Sequence, residues 1–203
     1  MSTDQIAVLR IELIDIEPLI WRRVAVATST NLAILHKIIQ AAMGWLDYHL
    51  WEFETDEVRY GIPDPHGEDW GRKIQKASAT GLAKLLDNGV KEFLYTYDMG
   101  DNWEHRVILE RVEPAKDGTR YPWFLGGERR CPPEDCGGLP GYYEFIDAIT
   151  APNKGRGSKK KKEALAWYGR PYDPDNIDEQ QIGITLGRVA KSQLKGKKTA
   201  AKK

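Results

Sequence analysis

The chain has 203 residues, 41% of them hydrophobic and 10% aromatic, which is typical of one folded domain and excludes a disordered protein. The formal net charge is zero, but six lysines follow Val189, so the preceding body has 24 basic and 30 acidic residues, a net charge of about −6. An acidic body argues against a duplex-DNA-binding protein, because such proteins gain affinity by neutralising phosphates.

Three sequence features bear on the cellular compartment. The N-terminal segment has no basic stretch followed by an apolar block, so no signal peptide is expected. No apolar run approaches the roughly 18 residues of a membrane-spanning helix. The chain has only two cysteines, which suits reduced thiols. We therefore expect a cytoplasmic protein with no membrane partner.

The first elements in chain order are two strands and a helix. Alternating apolar residues predict a strand over 7–16, and residues 20–27 predict a second strand. A helix is predicted between an N-cap at Thr30 or Asn31 and a stop at Gly44. Its apolar positions follow helical spacing: Leu32, Leu35, Ile39 and Met43.

Shorter elements are predicted in the next part of the chain. Two short strands are expected over 48–55 and 57–62, followed by a polar loop over 63–78. A short helix is expected over 80–89, with Thr80 as its N-cap.

The C-terminal part combines a long loop with helices. Residues 121–141 are rich in proline and glycine and predict a loop. Helices are expected after it, over 142–150, 159–169 and 177–190. The whole pattern predicts an α+β fold with packed helices on a mainly antiparallel or mixed sheet. We expect one domain over 1–190 and a disordered lysine-rich tail over 191–203.

The segment YTYDMGDNWEH predicts a hairpin with a defined register. A loop of three or five residues centred on Gly100 pairs Tyr97 with Trp103 and Tyr95 with His105. This register places the aromatic and aliphatic side chains of both strands on one face of the sheet. A four-residue loop would divide them between the two faces, and we reject it for that reason.

The same register directs His105 into an apolar layer, where burial disfavours the charged imidazole. A neutral histidine suits a metal ligand or a general base, but also an ordinary core histidine that is hydrogen-bonded to a tyrosine. The residue type alone favours the core interpretation.

Asp98 and Asp101 flank Gly100, and one of them has a structural role in the turn. Two aspartates are more than a hairpin needs, so a functional role stays open.

Two other groups of residues could contribute to a metal site or to catalysis. Asp47, His49 and Glu52 lie close together in the sequence, although Asp47 also suits a turn. Cys131 and Cys136 could bind zinc only with further ligands such as His49 and His105. A cysteine nucleophile is an alternative, with Cys136 followed by two glycines and His105 as its base.

Four segments resemble, in the same order, those of the plasmid pRiA4b ORF-3-like family. They are IEPLIWRRVAV, LHKIIQAAMGWLDYHLWEF, YTYDMGDNWEHRVILE and GERRCPPEDCGGLPGYYEF. The resemblance extends from about residue 5 to residue 150, and YDPDNID resembles a pattern near the family's C-terminus. It implies an α+β fold with a mixed sheet in a prokaryotic family of unknown function. Members of that family occur on plasmids and near mobile elements.

The polar positions of the family signature define a candidate binding cleft. We expect the proline–glycine loop to fold over the hairpin, so that one acidic, aromatic-lined cleft contains Arg22, His49, Asp98, Asp101, Trp103, His105, Glu134 and Asp135. Carboxylates in such a cleft need a cation, Arg22 or a basic partner to offset their repulsion. The candidate metal ligands are His49, His105, Cys131 and Cys136.

Three functional hypotheses follow. The first is a cytoplasmic, non-enzymatic binding or interaction module whose cleft receives a peptide, a small basic ligand or a partner protein. The second is a metal-dependent hydrolase or nuclease acting on phosphoesters, with His49 or His105 as base and four oxygen ligands: Asp98, Asp101, Glu134 and Asp135. The third is a DNA-associated protein of mobile elements, which rests on the lysine-rich tail and the family context.

Overall fold

The fold is built on one eight-stranded sheet. The structure is a computed structural model that describes residues 5–56, 58–63 and 73–200. The strands are β1 Gln5–Leu13, β2 Trp21–Ala27, β3 Trp51–Thr55, β4 Val58–Gly61, β5 Ile74–Lys76, β6 Glu92–Tyr97, β7 Trp103–Pro114 and β8 Trp123–Glu128. The helices are α1 Leu32–Met43, α2 Leu82–Asp87, α3 Gly138–Thr150, α4 Arg156–Tyr168 and α5 Glu179–Ala200, with a 3₁₀ turn at Ala77–Ala79.

The strand order across the sheet is β5-β4-β3-β6-β7-β1-β2-β8. Neighbouring strands run antiparallel, except that β4 and β5 are parallel. The predicted α+β fold with a mixed sheet in a single domain is therefore confirmed. No helix in the described part of the chain is long and apolar enough to span a membrane.

The two faces of the sheet have different chemistry, because successive side chains of a strand point to opposite faces. Ile11 and Val107 lie on the face that forms the main hydrophobic core with α1. On the other face, Arg23 forms an ion pair with Glu110 at 2.7 Å, and the Arg10 guanidinium lies over the Trp21 ring. The candidate site residues described below lie near the end of the hairpin that β6 and β7 form.

Helix α1 begins and ends as the sequence predicted. The side chain of Asn31 accepts a hydrogen bond from the Ile34 N–H at 2.9 Å, which caps the first turn. Gly44 adopts a left-handed conformation with φ 97°, which stops the helix and starts the next loop.

The predicted register of the β6–β7 hairpin is confirmed. Tyr97 pairs with Trp103 and Tyr95 pairs with His105, across a five-residue loop at 98–102. All four of these side chains are buried on the core side of the sheet.

Two strands lie in segments that were predicted to be loops. The three-residue β5 lies in the predicted loop 63–78, and it is too short to show an alternating pattern. Strand β8 lies in the predicted loop 121–141, where its glycines suggested a turn. Gly127 is needed inside this strand, because a Cβ atom there would lie 2.7 Å from the Trp21 carbonyl oxygen.

Several helix boundaries also differ from the prediction. Helix α2 has Gly81 as its N-cap, so the prediction of Thr80 was wrong; the Thr80 carbonyl instead accepts the Leu32 N–H. Helix α3 begins at Gly138 and includes Pro140, since a proline in the first turn costs no helical hydrogen bond. Helix α5 continues past the boundary predicted at residue 190 and ends at Ala200, and residues 201–203 lie outside the described residues.

Candidate functional site

The loop at 44–50, which carries His49, is anchored by a buried polar network. His36 Nδ1 lies 2.8 Å from the Tyr95 hydroxyl oxygen, and His36 Nε2 lies 2.7 Å from Asp47 Oδ1. A carboxylate can only accept, so Nε2 carries the proton and Nδ1 accepts from Tyr95. Gln40 donates to the Tyr95 hydroxyl at 3.0 Å and accepts the Asp47 N–H at 3.0 Å. The network fixes the loop immediately before His49.

Burial keeps the central histidine of this network neutral. It lowers the pKa of His36 to about 4, although the neighbouring Asp47 carboxylate acts in the opposite direction. The His36 ring also stacks on Trp51, with ring centroids 4.1 Å apart. His36 is therefore a structural residue of the core and is not exposed to a ligand.

The hairpin turn holds Asp98 with one oxygen engaged and the other directed toward His49. Asp98 Oδ1 accepts the N–H groups of Gly100 at 2.9 Å and Asp101 at 3.3 Å. Its other oxygen, Oδ2, lies 3.6 Å from His49 Nε2. The Asp98 N–H donates to the Leu50 carbonyl oxygen at 2.9 Å, which ties the hairpin to the loop of His49.

The proline–glycine loop, residues 131–138, lies against both of these segments. The Gly137 N–H donates to Asp101 Oδ2 at 3.1 Å. The Trp45 indole N–H donates to the Pro132 carbonyl oxygen at 3.0 Å. The structure thus brings the loop onto the hairpin, as the candidate cleft requires.

Glu134 is oriented by groups from the other two segments. Its Oε1 accepts the Leu46 N–H at 2.6 Å, and the Tyr97 hydroxyl lies 3.2 Å from each carboxylate oxygen. The Tyr97 hydroxyl in turn accepts the Tyr48 N–H at 3.1 Å. Burial raises the pKa of Glu134, while the hydrogen bonds from the Leu46 N–H and the Tyr97 hydroxyl favour its charged form.

Four predicted residues converge at one point, which we call the His49 cluster: His49, Asp98, Glu134 and Asp135. His49 Nε2 lies 3.1 Å from Asp135 Oδ1 and 4.0 Å from Glu134 Oε2. This nitrogen is shielded from solvent and has no hydrogen-bond partner, because the nearby Asp135 oxygen lies outside its hydrogen-bonding direction. The ligand atoms of His49, Asp98 and Asp135 all lie within 4.8 Å of one another.

The His49 cluster has more acidic than basic groups. In the part of the chain that the structure describes, no lysine or arginine forms an ion pair with Asp98, Glu134 or Asp135, and His49 is the one basic side chain in contact with them. The Asp135 side chain is 66% exposed, so the cluster opens to solvent on that side.

Arg22 does not neutralise these carboxylates. Its guanidinium is buried and donates to three carbonyl oxygens: Ala42 at 2.9 Å, Trp21 at 2.8 Å and Glu128 at 2.9 Å. Burial lowers the pKa of Arg22. Arg22 therefore joins α1, β2 and β8 inside the core.

His105 and Trp103 are also core residues in this structure. His105 is 0% exposed, and its Nδ1 donates to the Tyr95 carbonyl oxygen at 3.1 Å. Its Nε2 is consequently an unprotonated, buried nitrogen, and it has no hydrogen-bond partner. Burial lowers the pKa of His105 to about 4. This arrangement matches the core interpretation of His105.

The remaining candidates do not join the His49 cluster. Burial raises the pKa of Cys131, and it raises the pKa of Cys136 to about 12, which disfavours the thiolate needed for zinc binding or nucleophilic attack. Asp47 is bonded to His36, and Glu52 pairs with Arg59 at 3.0 Å. Asp101 is engaged by the Gly137 N–H.

The residues that sequence reasoning missed are those that orient the cluster. His36 and Gln40 are spaced four residues apart on the buried side of α1, and this spacing is the signal that could have identified them. The role of the Tyr97 hydroxyl had no such signal, since its partner Glu134 lies 37 residues away in the chain.

Comparisons with known proteins identify one family and two similar proteins. The model of the plasmid pRiA4b ORF-3-like protein family matches residues 5–181. The uncharacterized protein y4hQ of Sinorhizobium fredii is 41% identical over 184 residues, which cover 90% of this chain and 91% of that protein. The crystal structure of MM3350 from Methanosarcina mazei Go1, a protein of unknown function, has a TM-score of 0.78 at 33% identity and covers 89% of this chain and 97% of its own. The chain therefore belongs to the plasmid pRiA4b ORF-3-like family.

Proposed function

We propose that the protein is a binding module and that the His49 cluster receives a cation, either a metal ion or the cationic group of a peptide. The observation that carries this proposal is the excess of negative charge: carboxylates of three residues lie within 4.0 Å of one imidazole nitrogen. Negative charges gathered this closely repel each other. A bound cation offsets the repulsion, so the ligand would stabilise the site that it enters.

Exposed apolar side chains flank the cluster residues along the chain. Tyr48 and Leu50 adjoin His49, Leu46 precedes them, and Met99 follows Asp98 at the hairpin tip; all four are exposed. Apolar groups beside a charged pocket suit a peptide or protein that contributes both a cationic and an apolar contact. The cytoplasmic location expected from the sequence is part of this proposal and agrees with the free thiols of both cysteines.

A metal-dependent hydrolase or nuclease is the second candidate, and the compact spacing of His49, Asp98 and Asp135 favours it. The mechanism predicted for such an enzyme uses a histidine as general base within reach of the substrate. His105 is sealed in the core, and His49 would itself be a metal ligand. Since neither predicted base is available, the geometry supports binding better than hydrolysis.

A thermal-unfolding assay with two classes of probe tests the proposal. The probes are chlorides of divalent metals and short peptides containing lysine or arginine. We expect at least one class to raise the Tm of the wild type, by several degrees at about 100 times its Kd. Asp135→Asn should reduce the rise to about half or less, because it removes the most accessible carboxylate of the cluster.

The control is Asp147→Asn, which makes the same charge change at an exposed residue of α3. It should retain the full rise in Tm. The proposal fails if no probe of either class shifts the wild-type Tm, or if the Asp135 and Asp147 variants respond alike.

A further inference from the structure

We propose that the cation of the His49 cluster is a divalent transition-metal ion, bound by His49 Nε2, Asp98 Oδ2 and Asp135 Oδ1, with Glu134 beside them. This inference rests on the proposed function, because it takes the same cluster as the cation site and names the class of cation. An imidazole nitrogen among carboxylate oxygens suits Mn²⁺, Co²⁺, Ni²⁺ or Zn²⁺. Ca²⁺ and Mg²⁺ prefer ligand sets made only of oxygen atoms.

The distances from His49 Nε2 to the two aspartate oxygens match a shared metal ion. Adjacent nitrogen and oxygen ligands bound about 2.0–2.2 Å from one ion lie about 2.8–3.6 Å from each other, in octahedral or tetrahedral geometry. His49 Nε2 lies 3.1 Å from Asp135 Oδ1 and 3.6 Å from Asp98 Oδ2. Both distances fall within this interval.

The same distances are too short for a bound lysine. An ammonium group donates to acceptors about 2.8 Å away, so acceptors arranged tetrahedrally around it lie about 4.6 Å apart. Only the separation of 4.0 Å between His49 Nε2 and Glu134 Oε2 comes near that value. The core of the cluster therefore fits a small ion better than a basic side chain.

The unpartnered nitrogen of His49 is a further reason to expect a ligand, because it lies among carboxylates, unlike the equally unpartnered Nε2 of the core residue His105. His49 Nε2 is shielded from solvent and has no hydrogen-bond partner, and a buried polar atom in that state is costly. A metal ion bound to its lone pair would supply the missing partner. Asp135 does not supply this partner, because its Oδ1 lies 3.1 Å away but outside the hydrogen-bonding direction of the nitrogen.

Groups around the cluster already hold its carboxylates in position. Backbone N–H groups engage Asp98 Oδ1 and leave Oδ2 facing His49. The Leu46 N–H and the Tyr97 hydroxyl orient Glu134 in the same way. In protein metal sites, hydrogen bonds of this kind hold the ligand side chains in position.

The test is a titration of the untagged full-length chain, freed of metal with a chelator, using Co²⁺ followed by visible absorption and Zn²⁺ followed by calorimetry. We expect one saturable site per chain. His49→Gln and Asp135→Asn should each weaken binding by about tenfold or more, while Asp147→Asn and Cys136→Ser should bind like the wild type. Circular dichroism and Tm establish that each variant is folded.

Three outcomes would overturn this inference. The first is the absence of saturable binding of Mn²⁺, Co²⁺, Ni²⁺ and Zn²⁺ by the wild type. The second is binding that survives His49→Gln, and the third is binding that Cys136→Ser removes. If basic peptides still raise the Tm in a manner that depends on Asp135, the proposed function stands without the metal. If they do not, both proposals fail.

Discussion

Three of the four histidines lie among the described residues, and their surroundings assign them different roles. His36 is fixed between Asp47 and Tyr95, and His105 is enclosed by aromatic rings with its Nδ1 bonded to a carbonyl oxygen. His49 alone of the three reaches the surface cluster of carboxylates. The groups that contact each ring nitrogen therefore indicate the role of a histidine in this protein better than its residue type does.

The two buried histidines predict a fall in stability at acid pH. Burial lowers their pKa values to about 4, whereas a histidine in the unfolded chain has a pKa of about 6.5. The unfolded state therefore gains protons first, and the free energy of unfolding decreases as the pH falls from about 6.5 to about 4. The contribution of His105 is at most about 3 kcal/mol.

Urea denaturation at several pH values measures this effect in the wild type and in His105→Phe. The variant should show a shallower decrease between pH 6.5 and pH 4. Both proteins contain the same carboxylates, so the comparison isolates the histidine. Parallel pH profiles would contradict the assignment of His105 as a buried, neutral residue.

The carboxylate of Glu134 predicts different effects for two substitutions. Glu134→Leu leaves the Leu46 N–H and the Tyr97 hydroxyl without their acceptor, so we expect a loss of about 1–3 kcal/mol in the free energy of unfolding. Glu134→Gln keeps an acceptor for both groups and should change stability by less than about 0.5 kcal/mol. Urea denaturation at pH 7 compares the two, and equal losses would show that these hydrogen bonds contribute little.

At the scale of elements, the site depends on three segments that meet at the end of the β6–β7 hairpin. The loop at 44–50 carries His49, the turn carries Asp98, and the loop at 131–138 carries Glu134 and Asp135. The hairpin and the last loop approach each other closely at Gly138, where a Cβ atom would lie 2.7 Å from the Asp101 carbonyl oxygen.

This close approach predicts that Gly138→Ala separates the loop from the hairpin. Gly138 and Gly118 both have positive φ values, 67° and 72°, but a Cβ atom at Gly118 meets nothing within 4 Å. Gly118→Ala is thus a control for backbone strain alone, which costs about 1 kcal/mol. We expect Gly138→Ala to cost about 2 kcal/mol more than Gly118→Ala in urea denaturation. Equal losses would exclude a tight contact between the two segments.

At the scale of the whole molecule, α5 packs against α1 and β8 and closes the core beside them. Leu186 of α5 is 1% exposed, whereas Ile184 is 45% exposed on the same helix. Leu186→Ala should therefore reduce the free energy of unfolding by about 2–4 kcal/mol, against less than about 1 kcal/mol for Ile184→Ala. Similar losses for the two variants, measured by urea denaturation, would contradict the packing of this helix.

Local patterns predicted much of this fold, and tertiary partners account for the rest. The alternation of apolar and polar residues was sufficient to predict the hairpin register, and Gly44 was sufficient to predict the end of α1. Both features depend on residues that are close together in the chain. Arg22 and Tyr97 were different, since their roles depend on Glu128 and Glu134, which lie far away in the chain.

The DNA association predicted from the lysine-rich C-terminal segment stays a prediction. Salt-dependent DNA binding that is lost on truncation after Val189 would support it.

The central claim is that the side chain of His49 completes a metal-ion site with the neighbouring carboxylates. The most direct measurement is ¹⁵N NMR of the imidazole nitrogens of metal-free protein during addition of Zn²⁺. We predict that the Nε2 resonance of His49 shifts to the metal-bound range, while the resonances of His36 and His105 stay unchanged. A His49 resonance that does not respond to Zn²⁺ would contradict the claim.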